Sequence, residues 1–229
     1  MLQLFFVEDI ANPNLIGDNA HHAERVLRMS AGEEILVSDG KGAWARCSIT
    51  NISKKEVELK VLESGIEAAS KSEISVLQAI PKGDRAKETV ELLTAAGVTD
   101  IYPWQSGRAI GKESDKWHVA AIEASKQSRR FYIPTVAPKR DIASALELFK
   151  DFDQVLICHE SATVQISEVV KPAPKTLIVI GPEGGITDEE LAAFESAGGK
   201  VIKLGRPVLR SAHAGIAAIS AVSALMQVW

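Results

Sequence analysis

TLIVIGPEGGITDEE (residues 176–190) contains a complete strand–turn–helix unit. The run TLIVI is apolar without alternation, the pattern of a strand buried on both faces. Thr187 followed by Glu190 forms a capping box, so a helix begins near Asp188. Between them GPEGG makes a tight turn. Glycine's backbone freedom accounts for Gly181, Gly184 and Gly185 but leaves the Pro182–Glu183 pair unexplained. A phosphate loop reads GxxxxGK[ST], and no lysine stands here; the GxGxxG spacing of a dinucleotide site also fails. Glu183 would repel a phosphate set against the turn's amides, whereas an adenosyl group joined to a cationic sulfonium suits those electrostatics.

The same rhythm recurs on both sides of this unit. From residue 74 onward, strand-like runs alternate with helical ones: ISVLQAI (74–80) with DRAKETVELLTAAG (84–97), and DIYPW (100–104) with DKWHVAAIEASKQSRR (115–130). DIASALELF (141–149), QVLIC (154–158), DEELAAFESAG (188–198) and KVIKL (200–204) follow, and a last helix begins near Ser211. Short apolar strands separated by helices predict an α/β domain with a mainly parallel sheet covered on both faces. Ligands of such sheets sit at the carboxyl ends of the strands. LGRPVLRSAHAGIAAISAV (204–222) leaves one strand through a short loop into a helix dense in Ala, Gly and Ser, which packs tightly. Its loop, with Arg210, belongs beside the GPEGG turn, since both follow strands of one sheet.

The first seventy residues read differently. LQLFFV (2–7) opens as a strand, HHAERVLRM (21–29) is helical with Asn19 as its N-cap, and EEILVSDGKGAWARCSITNIS (33–53) has two strands around the turn DGKG. EVELKVLE (56–63) alternates as a half-exposed strand does. A small β-rich, barrel-like module is expected, with GIEAASKSE (65–73) as the boundary, giving domains 1–68 and 73–229.

The 229 residues are 46% hydrophobic and 24% charged, with formal net charge −4. That balance excludes a surface coated in cationic charge but leaves room for local basic patches. Lys82, Arg85 and Lys87 form one patch at a helix start, where they oppose the dipole; Lys126, Arg129 and Arg130 form another, with Gln127 and Ser128 between; Lys203, Arg206 and Arg210 form a third. The second suits either a helix C-terminus or a grip on RNA phosphates. Cys47 and Cys158 have neither CxxC nor zinc spacing and read as free thiols of a cytoplasmic protein. The N-terminus lacks a signal peptide's basic region, and the C-terminal apolar stretch (214–229) is shorter than a membrane span. His159–Glu160 has no partner at ligand spacing, so no metal is expected, and no Ser–His–Asp set can be argued.

GPEGG-x-T-x-E-E, then LG-x-x-VLR and a small-residue helix, is the pattern of SPOUT methyltransferases. With HHAERVLRMSAGE (21–33), PKGDR (81–85) and KQSRR (126–130), nearly the whole chain resembles the RsmE family. That resemblance implies methylation of N3 of a uridine in small-subunit (16S) ribosomal RNA by S-adenosylmethionine (SAM). It implies a PUA-like RNA-binding β-barrel, a SPOUT domain with a deep trefoil knot, and a homodimer. The knot is beyond any pattern argument, because knots are nearly absent from folds. Carried onto this chain, the cofactor site comprises His159 and Glu160; Ile180, Gly181, Pro182, Gly184 and Gly185; and Leu204, Gly205, Val208, Leu209, Ser211 and Ala214. Arg210, or a basic residue of the KQSRR segment, is assigned to stabilising charge on the uracil oxygens, and Glu183 to accepting a proton or organising its loop. RNA contacts fall to Arg25, Arg28, Lys82, Arg85, Lys126, Gln127, Arg129 and Arg130. Three stretches depart from the family pattern: Gly205-Arg206-Pro207 stands for Gly-Pro-Arg, Ser211-Ala212-His213 for a Thr-Glu-Thr type of sequence, and ELLTAAGV (91–98) for an ending Thr-Glu-Leu-Gly-Val. A SPOUT ribose 2′-O-methyltransferase and a non-catalytic RNA-binding assembly factor remain the alternatives.

Overall fold

The computed structural model describes residues 2–53, 55–83, 85–109, 111 and 116–229, in two compact units. Asp84 and Asp115, expected to open two helices, lie outside the described residues. The first unit is residues 1–69 with 125–133; the second is 70–124 with 134–229.

The second unit carries β6 (Glu73–Ala79), α2 (Arg85–Ala95), β7 (Asp100–Trp104), α3 (Lys116–Ser128, whose last turn belongs to the first unit), β8 (Thr135–Val136) and α4 (Ile142–Glu147). It continues with β9 (Gln154–Cys158), α5 (Ile166–Val169), β10 (Lys175–Ile180), α6 (Asp188–Ser196), β11 (Lys200–Ile202) and α7 (Ser211–Leu225). Its six strands are ordered β11-β9-β10-β6-β7-β8, and every pair is parallel. Successive side chains of a strand point to opposite faces, so an unalternating apolar strand fills two cores at once. In β10, Ile178 and Ile180 join one cluster with Val90 and Leu93 of α2 and Ala218, Ile219 and Val222 of α7. Leu177 and Val179 join another with Phe194 of α6 and Ala145 of α4. Burying each large aliphatic side chain stabilises the fold by roughly 1.5–3 kcal/mol. The small residues of α7 let it approach α2: a Cβ on Gly215 would lie 2.6 Å from Leu93 Cδ2.

The first unit has β1 (Leu4–Phe6), β2 (Asn14–Ile16), α1 (Gly17–His21) running into a π-helical turn (His22–Val26), β3 (Glu34–Ser38), β4 (Ala43–Ile52) and β5 (Glu56–Ile66). The sheet order is β1-β3-β4-β5-β2, parallel for β1–β3 and otherwise antiparallel. Register shifts at Arg46/Cys47 and Ile49/Asn51 curl the long β4–β5 ribbon. It closes over Phe5, Leu15, Ile35, Val37, Cys47, Ile49 and Val57. In the DGKG turn, Asp39 Oδ1 accepts from the amides of Lys41 (2.7 Å) and Ala43 (3.1 Å).

Three expectations are corrected. Asn19 does not cap a helix: α1 begins at Gly17, and Asn19 Nδ2 donates to Phe6 O at 2.9 Å, tying α1 to β1. Gly65 and Ile66 do not break from the sheet but finish β5, where Gly65 pairs with Trp44. β2, β8 and α5, of three, two and four residues, were not anticipated, because segments so short carry no period.

Residues 125–133 are built into the first unit. Arg130 N–H returns to Ser125 O (3.0 Å), with Arg129 left-handed at φ 54. Phe131 then stacks on Trp44 at 5.5 Å, its carbonyl accepts from Ser38 Oγ (3.1 Å) and Gly42 N (3.0 Å), and Tyr132 Oη donates to Glu67 O (3.0 Å).

Candidate cofactor and substrate site

β11, β9 and β10 are neighbours in the parallel sheet, so the loops that leave their carboxyl ends converge. Residues of those loops and the start of α7 line a cleft of about 520 Å³. Every cofactor residue assigned above lines it, and so do Glu183 and Arg210.

The turn after β10 is held from within and from without. Gly185 N–H donates to Pro182 O (2.9 Å) and Gly185 adopts φ +78, a conformation costly for residues with a Cβ. The capping box is complete: Glu190 N donates to Thr187 Oγ1 at 3.2 Å, and Thr187 N donates to Glu190 Oε2 at 2.9 Å. Glu190 also reaches the loop after β7, accepting from Gly107 N (2.7 Å) and Ser106 Oγ (3.1 Å). From that loop Arg108 Nη1 donates to Gly184 O at 3.1 Å. Glu183 Oε1 lies 3.4 Å from Arg85 Nη1, so the acid of the turn faces a cation at the start of α2.

α7 is pinned to the same turn. Ser211 Oγ donates to Gly181 O at 2.7 Å and accepts from Gln78 Nε2 at 3.0 Å; the buried Gln78 amide also donates to Ala79 O. Arg210 occupies the N-cap position of α7 and is exposed. On the third wall, Ser161 Oγ lies 2.7 Å from His159 Nδ1. Burial pushes the Cys158 thiol up to about 12, so it lines the cleft as a neutral, unreactive group. The charges on the lining are mixed: Arg108, Lys203, Arg206 and Arg210 against Glu160, Glu183 and Asp188.

Sequence reading missed Arg108 and Asp188 on this lining; Lys203 and Arg206 read as a basic cluster with Arg210, and Arg206 lies within the expected cofactor loop 204–211. QSGR (105–108), directly after the strand DIYPW, was the available signal for Arg108, because it leaves the same carboxyl edge of the sheet. The residues assigned to RNA fall in both units. Arg25, Arg28, Lys126, Gln127, Arg129 and Arg130 belong to the first unit, Lys82 and Arg85 to the second. Arg85 also pairs with Glu183 of the cleft's own turn. Burial lowers the Arg130 guanidinium to about 10, with the Glu67 charge opposing that shift, which marks it as a packed residue of its unit. Among the described residues no three His, Cys, Asp or Glu side chains gather as a metal site, and no helix is long and apolar enough to cross a membrane.

Comparison with known proteins adds to this geometry. A family model for an RNA methyltransferase domain matches residues 68–223, and one for an RNA methyltransferase PUA domain matches residues 15–62. The chain is 32% identical to the ribosomal RNA small subunit methyltransferase E of Mycobacterium bovis, over 99% of this chain and 93% of that one. It is 30% identical to the Bacillus subtilis protein of the same name, over 95% and 91%. The crystal structure of ribosomal RNA small subunit methyltransferase E from Neisseria gonorrhoeae, bound to S-adenosyl methionine, superposes with a TM-score of 0.89. Its identity is 28%, and 98% of each chain is covered.

Proposed function

The chain belongs to the RNA methyltransferase family whose domain model spans most of it, and from that premise we propose that it methylates small-subunit ribosomal RNA with SAM, at N3 of a uridine. The observation that carries this reading is the convergence of three strand-end loops, 159–162, 181–185 and 204–211, on one cleft. A relative that binds SAM has the same fold along its whole length.

The residues present suit that cofactor. Gly181 and Gly184 let the turn close against its own neighbours at the edge of the cleft: a Cβ on Gly181 would meet Ile186 Cγ1 at 2.7 Å and one on Gly184 would meet Arg108 Cβ at 3.2 Å. Glu160, Glu183 and Asp188 supply acidic groups that a cationic sulfonium can face, on a lining that also carries four cations. Bound there, SAM supplies an already activated methyl group. The chain's own work is then to hold an extruded uracil in line with that methyl and to favour its N3 anion. Arg210, exposed at the mouth, stabilises charge on the uracil oxygens. Glu183, paired with Arg85, organises the turn and takes no proton.

The other assignments follow the same reading. Residues 1–68 are the PUA-like RNA-binding domain and 73–229 the catalytic domain with its trefoil knot, acting as a cytoplasmic homodimer. Arg25, Arg28, Lys126, Gln127 and Arg129 contact RNA phosphates, with Lys82 on the catalytic domain. The test is incubation with labelled SAM and either small ribosomal subunits or naked rRNA, followed by nucleoside analysis and reverse transcription. N3 methylation removes a Watson–Crick donor and should stop extension at the labelled uridine. Read-through there, with a ribose-methylated nucleoside recovered, would replace the N3 reading with the 2′-O one.

A further inference from the structure

The peptide between Gly184 and Gly185 is the least constrained in the turn after β10. Neither residue has a Cβ to resist rotation, and Gly185 is left-handed at φ +78. Its two polar ends are nevertheless held. The Gly185 amide donates to Pro182 O at 2.9 Å, inside the turn, and the Gly184 carbonyl accepts from Arg108 Nη1 at 3.1 Å, from outside it. The other side chains that reach the turn act elsewhere: Ser211 on Gly181 O, Arg85 on the Glu183 carboxylate, Glu190 on Thr187 N. Among the described residues Arg108 is thus the only side chain bonded to that peptide.

The two glycines also make room for the arginine. A Cβ on Gly184 would stand 3.2 Å from Arg108 Cβ and 3.6 Å from its Cδ, and one on Gly185 would stand 3.7 Å from Nη1. The side chain therefore runs along both residues, its aliphatic stem against Gly184 and its guanidinium at Gly185. Its root is fixed in turn. Arg108 N–H donates to Ser106 Oγ at 3.3 Å, Ser106 Oγ donates to Glu190 Oε2 at 3.1 Å, and Gly107 N–H donates to Glu190 Oε1 at 2.7 Å. Glu190 lies in the first turn of α6, so the loop after β7 and the turn after β10 are braced against one helix start. Trp104, the last residue of β7, adds a buried bond from Nε1 to Ile180 O at 3.2 Å. Arg108 itself is exposed and lines the cleft with Gly184 and Gly185. The other lining cations, Lys203, Arg206 and Arg210, make no side-chain hydrogen bond to this turn among the described residues.

We propose that Arg108 is the positioning residue of the SAM turn: its guanidinium holds the Gly184–Gly185 peptide in the orientation that fits the turn to the cofactor. The inference rests on the reading of the cleft as a SAM site. Without Arg108 the Gly184 carbonyl loses its protein donor, and only the internal bond to Pro182 O still opposes rotation of the peptide. SAM then binds the fraction of molecules whose turn is correctly set, and its apparent affinity falls by that fraction. The role is one of shape, not of charge, because the group that Arg108 holds is a neutral carbonyl.

The test is calorimetric titration of the full chain with SAM, without RNA. Arg108→Ala should weaken SAM binding about tenfold, as expected when about a tenth of the molecules carry a competent turn. Arg108→Lys keeps one donor at nearly the same reach and should return to within a few-fold of wild type. The ratio of variant to wild-type affinity should hold between about 0.05 and 0.5 M salt, because a hydrogen bond to a carbonyl is not screened as an exposed ion pair is. At saturating SAM, transfer to small subunits should stay within a few-fold, so the loss falls on KM for SAM and spares kcat. A readout free of ligand is ¹⁵N relaxation dispersion: the Gly185 amide should be quiet in the wild type and show exchange in Arg108→Ala. Wild-type SAM affinity in Arg108→Ala overturns the proposal even if its melting temperature falls, because the contact is then structural only. So does a Gly185 amide that stays quiet in that variant. A loss that vanishes at high salt overturns it in favour of a direct ionic contact with the cofactor, and unchanged SAM affinity with a raised KM for RNA makes Arg108 a substrate contact instead. If the wild type binds no SAM, the reading of the cleft fails and takes the inference with it; SAM binding that survives Arg108→Ala unaltered sinks the inference alone.

Discussion

On one side of the cleft, residues 181–190 satisfy their polar groups against the protein itself. Glu183 meets Arg85, Glu190 meets Gly107, Ser106 and Thr187, and the carbonyls of Gly181, Pro182 and Gly184 all accept hydrogen bonds. Across it, Arg206, Pro207, Val208, Leu209 and Arg210 are exposed, Val208 to 73% and Leu209 to 41%. One wall is finished before any ligand arrives; the other presents cations and apolar side chains outward. Preorganised dipoles suit a cofactor whose shape is fixed, while an open cationic wall suits a large anionic substrate that must be gathered from solution. Substitutions on the first wall should therefore register in stability and SAM binding, and those on the second in transfer.

The sharpest break of that division is Arg210→Ala. The side chain is exposed and caps no hydrogen bond of α7, so melting temperature should not change. Transfer to rRNA should fall by about 100-fold or more, roughly 2.7 kcal/mol, the loss of one charge-stabilising donor. Wild-type turnover in this variant would remove the open wall from the chemistry. Next in size is Glu190→Ala on the finished wall. It strands Ser106 Oγ and the amides of Gly107 and Thr187 together, at a cost of about 2 kcal/mol in denaturant unfolding. SAM affinity measured by calorimetry should weaken with it. An unaltered unfolding midpoint would mean that the turn is held elsewhere.

The sequence was legible wherever a single stretch contains its own physics. The apolar run TLIVI had to be buried on both faces, and it is, one residue in two on each core. Thr187 and Glu190 are three residues apart, so their capping box could be read and is formed. The convergence of the three loops followed from parallel strands, but the identity of the ligand came from resemblance, since the electrostatics of GPEGG exclude phosphate without selecting SAM. What failed to show in the pattern is long-range. Nothing local tells that Phe131 will stack on Trp44 and draw residues 125–133 into the first unit, or that Arg85 will find Glu183. Asn19 looked like a cap because cap preference is local, whereas its amide is used across the fold on Phe6 O. Arg108 was overlooked because QSGR has no periodicity and its function lies in a carbonyl of another loop.

A smaller effect separates the two acids of the finished wall. Glu183→Gln removes the charge facing Arg85 across 3.4 Å, with both side chains partly exposed, so stability should drop by only about 0.2–1 kcal/mol. Transfer should remain within a few-fold, because Glu183 organises rather than accepts a proton. A loss of two orders of magnitude with SAM binding intact would restore it as the proton acceptor.

The smallest expected effect tests the open wall most strictly. Val208 stands 73% exposed at the cleft, so replacing it with Ser removes almost no buried apolar surface. Solvent-facing substitutions of this kind stay within about 0.5 kcal/mol, and the melting temperature of Val208→Ser should match the wild type. The isolated chain leaves this side chain uncovered, but a second copy seated on it would not. In that case the same change would cost about 1 kcal/mol or more, since burial of a valine side chain stabilises by roughly that much. Its destabilisation would also grow with protein concentration, because association adds to stability by mass action. Melting curves over a hundredfold range of concentration, read beside light scattering, separate the two cases. A concentration-independent match to wild type leaves the wall open to substrate; a concentration-dependent loss means that part of it is closed by a partner chain, and that RNA enters the cleft from the side of Arg210.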